Sequence, residues 1–139
     1  MSDQPDQDVD LSIPMVPDME LAATAVADSF GTFMGLDSDK VEEVKIALVE
    51  ACINSFEHSE SKERRIDVNF SIDDVGLVVS INDGGSGFDL EEAKAKIAEK
   101  RNEGIGDRGW GLTLIHELMD EVKIVTTDKG TLVRMVKYR

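Results

Sequence analysis

Three short motifs in fixed order carry groups that could do chemistry together: Glu50-x-x-x-Asn54, Asp83-Gly84-Gly85-Ser86-Gly87-Phe88 and Arg108-Gly109-Trp110-Gly111-Leu112. A glutamate can accept a proton, an asparagine oxygen suits a hard cation, and a guanidinium beside a helix start suits an anion. Glu50 and Asn54 are four residues apart within 41–56, where apolar residues recur at helical spacing. Their side chains therefore share one helix face and can share one ligand.

The elements that must position these groups follow from periodicity. Leu77-Val78-Val79-Ser80-Ile81-Asn82 reads as a strand, which puts Asp83 at its carboxyl end, a common place for a ligand. Gly84, Gly85 and Gly87 remove side chains that would hold the backbone away from a bound group. The third motif opens an apolar helix over 112–119, whose first amides and partial positive charge suit a phosphate. Earlier in the chain, Val9, Leu11 and Ile13 alternate as in a short edge strand. A helix over 19–34 is expected to pack Leu21, Ala25 and Phe30 and to end at Gly31 or Gly35. A second helix starts near Asp37 or Ser38 and reaches about residue 57. Ile66, Val68, Phe70 and Ile72 alternate with polar residues, the pattern of a strand with one buried face, and Asp73-Asp74 turns it into the next strand. The charged stretch 89–107, with a helical piece at 91–100, reads as a movable lid. The chain closes with a helix over 111–120, a strand over 122–126, a turn at 128–130 and a strand over 131–136.

Taken singly, each motif has an ordinary structural use: Glu50 as a solvated helix charge, Asn54 as a helix-end hydrogen bonder, Asp83 as a turn residue, Arg108 as a surface charge. In this order they resemble the ATPase domain shared by histidine kinases, gyrase, Hsp90 and MutL proteins, the histidine kinase-like ATPase superfamily with its Bergerat ATP-binding fold. The resemblance is closer to the anti-sigma factor serine/threonine kinases. Glu50, Asn54 and His58 match the first family box, and Asp83, Gly85, Gly87 and Phe88 match the second. Arg108, Gly109, Gly111 and Leu112 match the third, and Gly130-Thr131 matches a late Gly-Thr pair. The resemblance implies an α/β (α+β) two-layer sandwich, helices on one face of a mixed, mainly antiparallel sheet, with ATP between the helices and the lid. It also implies roles: Glu50 as general base on a serine hydroxyl, Asn54 as the Mg²⁺ ligand, Asp83 as acceptor of the adenine amino group, and Thr131 as its assistant. A guanidinium at Arg108 can pair with the γ-phosphate as charge shifts during transfer. Trp110, in the variable position, reads as packing, and His116 reads as exposed.

One look-alike is set aside. Gly104-Ile105-Gly106-Asp107-Arg108-Gly109 fits the dinucleotide pattern Gly-x-Gly-x-x-Gly, but it follows a charged helical run where that pattern needs a strand.

Composition bounds the rest. The 139 residues, 41% hydrophobic and 32% charged, suit one soluble domain over 9–139 after a frayed tail at 1–8. No apolar run approaches the roughly 20 residues needed to span a bilayer. The first residues lack the basic and apolar regions of a signal peptide, so a cytoplasmic location is expected. Cys52 is the sole cysteine, which excludes an intrachain disulfide, and it reads as a small core residue. A net charge of -14 argues against nucleic acid as a partner. Residues 1–61 hold fourteen acidic side chains against Lys40 and Lys45, which favours a basic protein surface as partner.

These readings converge on an ATP- and Mg²⁺-dependent serine/threonine protein kinase of the anti-sigma kind. The resemblance implies a sigma factor and an anti-sigma factor antagonist as partners, while the sequence leaves dimerisation open, though the resembled family often forms homodimers. The alternatives are a non-catalytic ATP-binding partner-switching module and a detached histidine-kinase-type catalytic domain.

Overall fold

Alternation in the sequence becomes a two-sided sheet in the computed structural model, which describes residues 8–84, 110–127 and 130–139, with side chains at all of these but 110–112. Strand β1 (Asp8–Pro14) leads into helices α1 (Glu20–Met34) and α2 (Ser38–His58). A hairpin of β2 (Arg65–Ile72) and β3 (Gly76–Asn82) follows, then α3 (Trp110–Leu118) and a second hairpin of β4 (Glu121–Thr127) and β5 (Gly130–Tyr138). The five strands form one sheet in the order β1-β2-β3-β5-β4. The sheet, expected to be mixed and mainly antiparallel, is antiparallel in every described pairing. The proposed lid at 89–107, its helical piece at 91–100 and two residues of the last turn lie outside the described residues.

One face of the sheet holds the core. Ile66, Val68 and Phe70 of β2, Val79 and Ile81 of β3, and Val133 and Met135 of β5 are buried against the helices. Arg65 and Asp67, between the buried residues of β2, are exposed, as a strand with one buried face requires. The Phe30 ring of α1 stacks on Phe70 with centroids 5.7 Å apart. From α2, Val44, Ala47, Leu48, Ala51, Cys52 and Ser55 turn inward at helical spacing. The cluster is completed by Ile115 of α3 and Met119 beyond it.

The phase of α1 differs from expectation. Leu21 is 56% exposed and Ala25 also faces solvent, while Ala23, Thr24, Ala27, Phe30 and Gly31 are buried. The run 21–27 is rich in alanine, which gives little hydrophobic contrast around the helix, so the stacking of Phe30 on Phe70 and the approach to α2 set its rotation. Gly35, at φ 70°, ends the helix in the left-handed conformation, its N–H meeting the Thr32 carbonyl at 3.3 Å. Asp37 flanks the start of α2, but its side chain makes no capping hydrogen bond.

An ion pair between a buried lysine and a partly exposed glutamate ties the layers together. Lys137 of β5 is 5% exposed; its Nζ meets Glu43 Oε1 of α2 at 2.6 Å and donates to the Leu118 carbonyl at the end of α3. A cation at that helix end also complements the helix dipole. We expect Lys137→Met to lower the unfolding free energy by about 1–2 kcal/mol, since packing is kept and the polar contacts are lost. Lys137→Ala should cost more because it also opens a cavity. Urea denaturation measures both, and wild-type midpoints for both variants would refute a structural role for the pair.

Candidate functional site

Strand β3 stops at Asn82, whose Oδ1 accepts the Gly84 N–H at 2.8 Å and so turns the chain out of the sheet. Between the two lies Asp83, 1% exposed, its side chain on the helix-covered side because Asn82 faces the other way. Across from it stands Thr131, 4% exposed, at the start of β5. The two residues exchange bonds. The Asp83 N–H donates to the Thr131 carbonyl at 3.1 Å, and the Thr131 N–H donates to Asp83 Oδ1 at 2.7 Å. The ladder thus continues one step past the strand, and the carboxylate is fixed in direction by a backbone donor. The Thr131 hydroxyl lies 3.4 Å from that of Thr126 on β4.

This close approach depends on Gly130. Its φ is 147°, and a Cβ there would come within 2.5 Å of the Gly84 Cα and 2.8 Å of Asp83 Oδ1. Gly130→Ala is therefore expected to destabilise the protein by about 1–3 kcal/mol and to displace the carboxylate. Thermal unfolding checks this, and an unchanged midpoint would mean the turn relaxes freely. Gly130 and Thr126 act here through tertiary contact and Asn82 through a bond two residues along the chain, and of the three only Gly130, next to Thr131, stood out in the sequence.

The helix group sits where its spacing predicts. Glu50 and Asn54 lie one turn apart on α2, both half-buried beside the inward-facing Ala47 and Ala51. Neither side chain hydrogen-bonds to a described residue. Next to them Cys52 is fully buried, and burial, aided by the Glu20 carboxylate, pushes its thiol up to about 12. It is a neutral core thiol, as expected, and no part of the chemistry. His58 and His116 are exposed. Burial, with a smaller contribution from Lys123, lowers the His116 pKa.

Of the remaining sequence candidates, Gly85, Gly87, Phe88, Arg108 and Gly109 lie outside the described residues. Gly111 and Leu112 fall in the first turn of α3, whose helix begins at Trp110. Among the described residues, no cluster of three or more His, Cys, Asp or Glu could hold a metal ion. An oxygen-seeking cation here would need Asn54 together with oxygens brought by a phosphate ligand, the usual habit of Mg²⁺. Among the described residues, no helix is long and apolar enough to cross a membrane.

Helices on one face of an antiparallel sheet, a buried aspartate pinned at a strand end, and a Glu and an Asn one turn apart on the covering helix are what the described residues bring together. A family model described as the histidine kinase-like ATPase domain matches residues 15–137, and the chain belongs to that family. It is similar to the serine-protein kinase RsbW of Oceanobacillus iheyensis, 29% identical over 136 residues that make up 94% of this chain and 85% of the relative. The RsbW serine-protein kinase of Bacillus cereus is 34% identical over 110 residues, 76% of this chain and 68% of its own. A crystal structure of the RsbU and RsbW domains of Rv1364c from Mycobacterium tuberculosis shares the fold, with a TM-score of 0.71 at 17% identity. That match covers 96% of this chain and 33% of the solved one. Within the superfamily the chain belongs to the anti-sigma factor kinases, and its class is that of an ATP-using protein serine/threonine kinase.

Proposed function

We propose that this kinase binds a sigma factor and, with ATP and Mg²⁺, phosphorylates a serine of a small anti-sigma factor antagonist. The observation that carries the reading is the buried Asp83 carboxylate, held by the Thr131 N–H on the face of the sheet that the helices cover. A carboxylate so placed accepts from the amino group of adenine, whereas guanine presents an oxygen there. Thr131 supports that contact with its hydroxyl. Gly85, Gly87 and Phe88 line the nucleotide after Asp83. Gly109, Gly111 and Leu112 bring amides to its phosphates at the start of α3, and Arg108 pairs with the γ-phosphate.

Transfer then uses the face of α2. The half-buried Glu50 carboxylate takes the proton of the serine hydroxyl as its oxygen bonds to the γ-phosphorus, and the bond to the β-phosphate oxygen breaks to release ADP. Asn54 offers its side-chain oxygen to Mg²⁺, which when bound offsets phosphate charge and aligns the reacting oxygens. The setting is cytoplasmic, in a single domain over 9–139, and the partners are proteins with no nucleic acid or membrane among them. The net charge of -14 supports that exclusion.

The test is incubation of the protein with Mg-ATP and a candidate antagonist, followed by treatment of any phosphoprotein with acid and with base. Phosphate that survives acid and is lost in base marks phosphoserine. Acid-labile phosphate would mark histidine instead, and ATP binding without transfer to any antagonist would leave a switch module.

A further inference from the structure

Helix α2 carries more apolar surface than its packing uses. Its inward side is made by Val44, Ala47, Leu48, Ala51 and Ser55, and the opposite side belongs to solvent. Glu42 and Glu57 stand exposed there, but so does Ile46, at 47% exposure. Val49 and Ile53 follow it at the i, i+3, i+7 spacing of a stripe, both half-buried. Among the described residues, the hydrophobics packed against the core include Phe56 of this helix and none of these three. Helix propensity gives no reason for them either, since β-branched residues form helices less readily than the charged ones that usually fill such positions. A single exposed isoleucine is ordinary, but a stripe of three makes a surface that another chain can cover.

The stripe has a definite place relative to the chemistry. Around the helix axis Asn54 lies about 40° to one side of Glu50, whereas Ile46, Ile53 and Val49 lie about 40°, 60° and 100° to the other. In the reaction proposed above, Asn54 marks the side of the phosphates. The serine oxygen enters in line, opposite the leaving oxygen, so the substrate chain comes in over the flank of Glu50 that the stripe occupies. Ile46 and Ile53 stand one turn before and after the carboxylate, about 5–6 Å away in each direction. We propose that Ile46, Val49 and Ile53 are the subsite that selects the protein substrate, taking apolar side chains on both sides of the reactive serine. Along an extended segment, alternate side chains share a face at a spacing of about 7 Å, so the matching substrate has apolar residues within about two or three positions of the serine in each direction. Seating them removes the stripe from water and drives water from beside the carboxylate that takes the proton. Glu57, one turn beyond Ile53, makes no hydrogen bond or ion pair with a described residue, which favours a basic side chain further along the substrate. Glu42, at the other end, is already paired with Lys45 at 3.2 Å. The inference rests on the reading of Glu50 as the base of a protein kinase, and its test keeps the two apart.

The test combines the kinetics of phosphate transfer to the antagonist with calorimetry of antagonist binding in the presence of a non-hydrolysable ATP analogue. Ile46→Ser with Ile53→Ser should raise the KM for the antagonist and weaken its binding at least about tenfold, with kcat at saturating antagonist and ATP affinity near the wild type. Ile46→Ser alone, at the most exposed of the three, should give about threefold, so the test survives if the double variant fails to fold. Phe33→Ser, which removes a ring 66% exposed near the end of α1, should change neither quantity. Replacing the apolar neighbours of the acceptor serine in the antagonist should reproduce the loss with the wild-type kinase and add little to it with the double variant. Wild-type antagonist affinity in the folded variants, an equal loss from Phe33→Ser, or a parallel fall in ATP affinity would overturn the proposal. So would a loss confined to sigma factor binding. A wild type that bound the antagonist through the stripe yet transferred no phosphate would keep the subsite and remove the kinase reading.

Discussion

Glu50→Gln is expected to bind ATP as the wild type does and to transfer phosphate at least about a hundredfold more slowly, the scale of a lost general base. The amide is nearly isosteric and equally compatible with a helix, and the wild-type side chain makes no hydrogen bond to a described residue whose loss could unsettle α2. Stability should accordingly change little, which separates chemistry from folding. Calorimetry with ATP, together with phosphate transfer to an antagonist at saturating nucleotide, measures the two quantities apart. Transfer at the wild-type rate would remove Glu50 as the base, and loss of ATP affinity would make it a binding residue.

Asp83→Asn should do the reverse, failing at the binding step. An asparagine can keep its oxygen on the Thr131 N–H, now 2.7 Å from Asp83 Oδ1, so the β3–β5 junction should survive. Its amide then turns a donor towards the adenine amino group, another donor. Losing a hydrogen bond to a charged acceptor costs about 1.5–3 kcal/mol, so ATP affinity should fall by roughly tenfold to a hundredfold. Titration of the variant with ATP and GTP gives the answer, with urea denaturation as the control. Wild-type affinity for ATP would move adenine recognition elsewhere, and a collapse of stability would make Asp83 a structural residue first. Gly130→Ala provides an independent approach to the same carboxylate, since it leaves the chemical groups in place and alters only the space they share.

What the sequence by itself determined about this protein is local. The four-residue spacing of Glu50 and Asn54 needs nothing but the helical repeat, and α2 carries both on one face as expected. The alternation through Ile66, Val68 and Phe70 likewise settles which side of β2 is buried. The strand end before Asp83 follows from the run of β-branched residues and the glycines that stop it. The tertiary structure alone decided matters that join distant residues or depend on neighbours. Asp83 and Thr131 are 48 positions apart, and their exchange of bonds exists because β5 inserts between β3 and β4, an order that no local pattern encodes. The rotation of α1 was likewise unreadable from its alanine-rich run, because alanine contributes too little hydrophobic contrast and a contact between Phe30 and Phe70 fixes the phase.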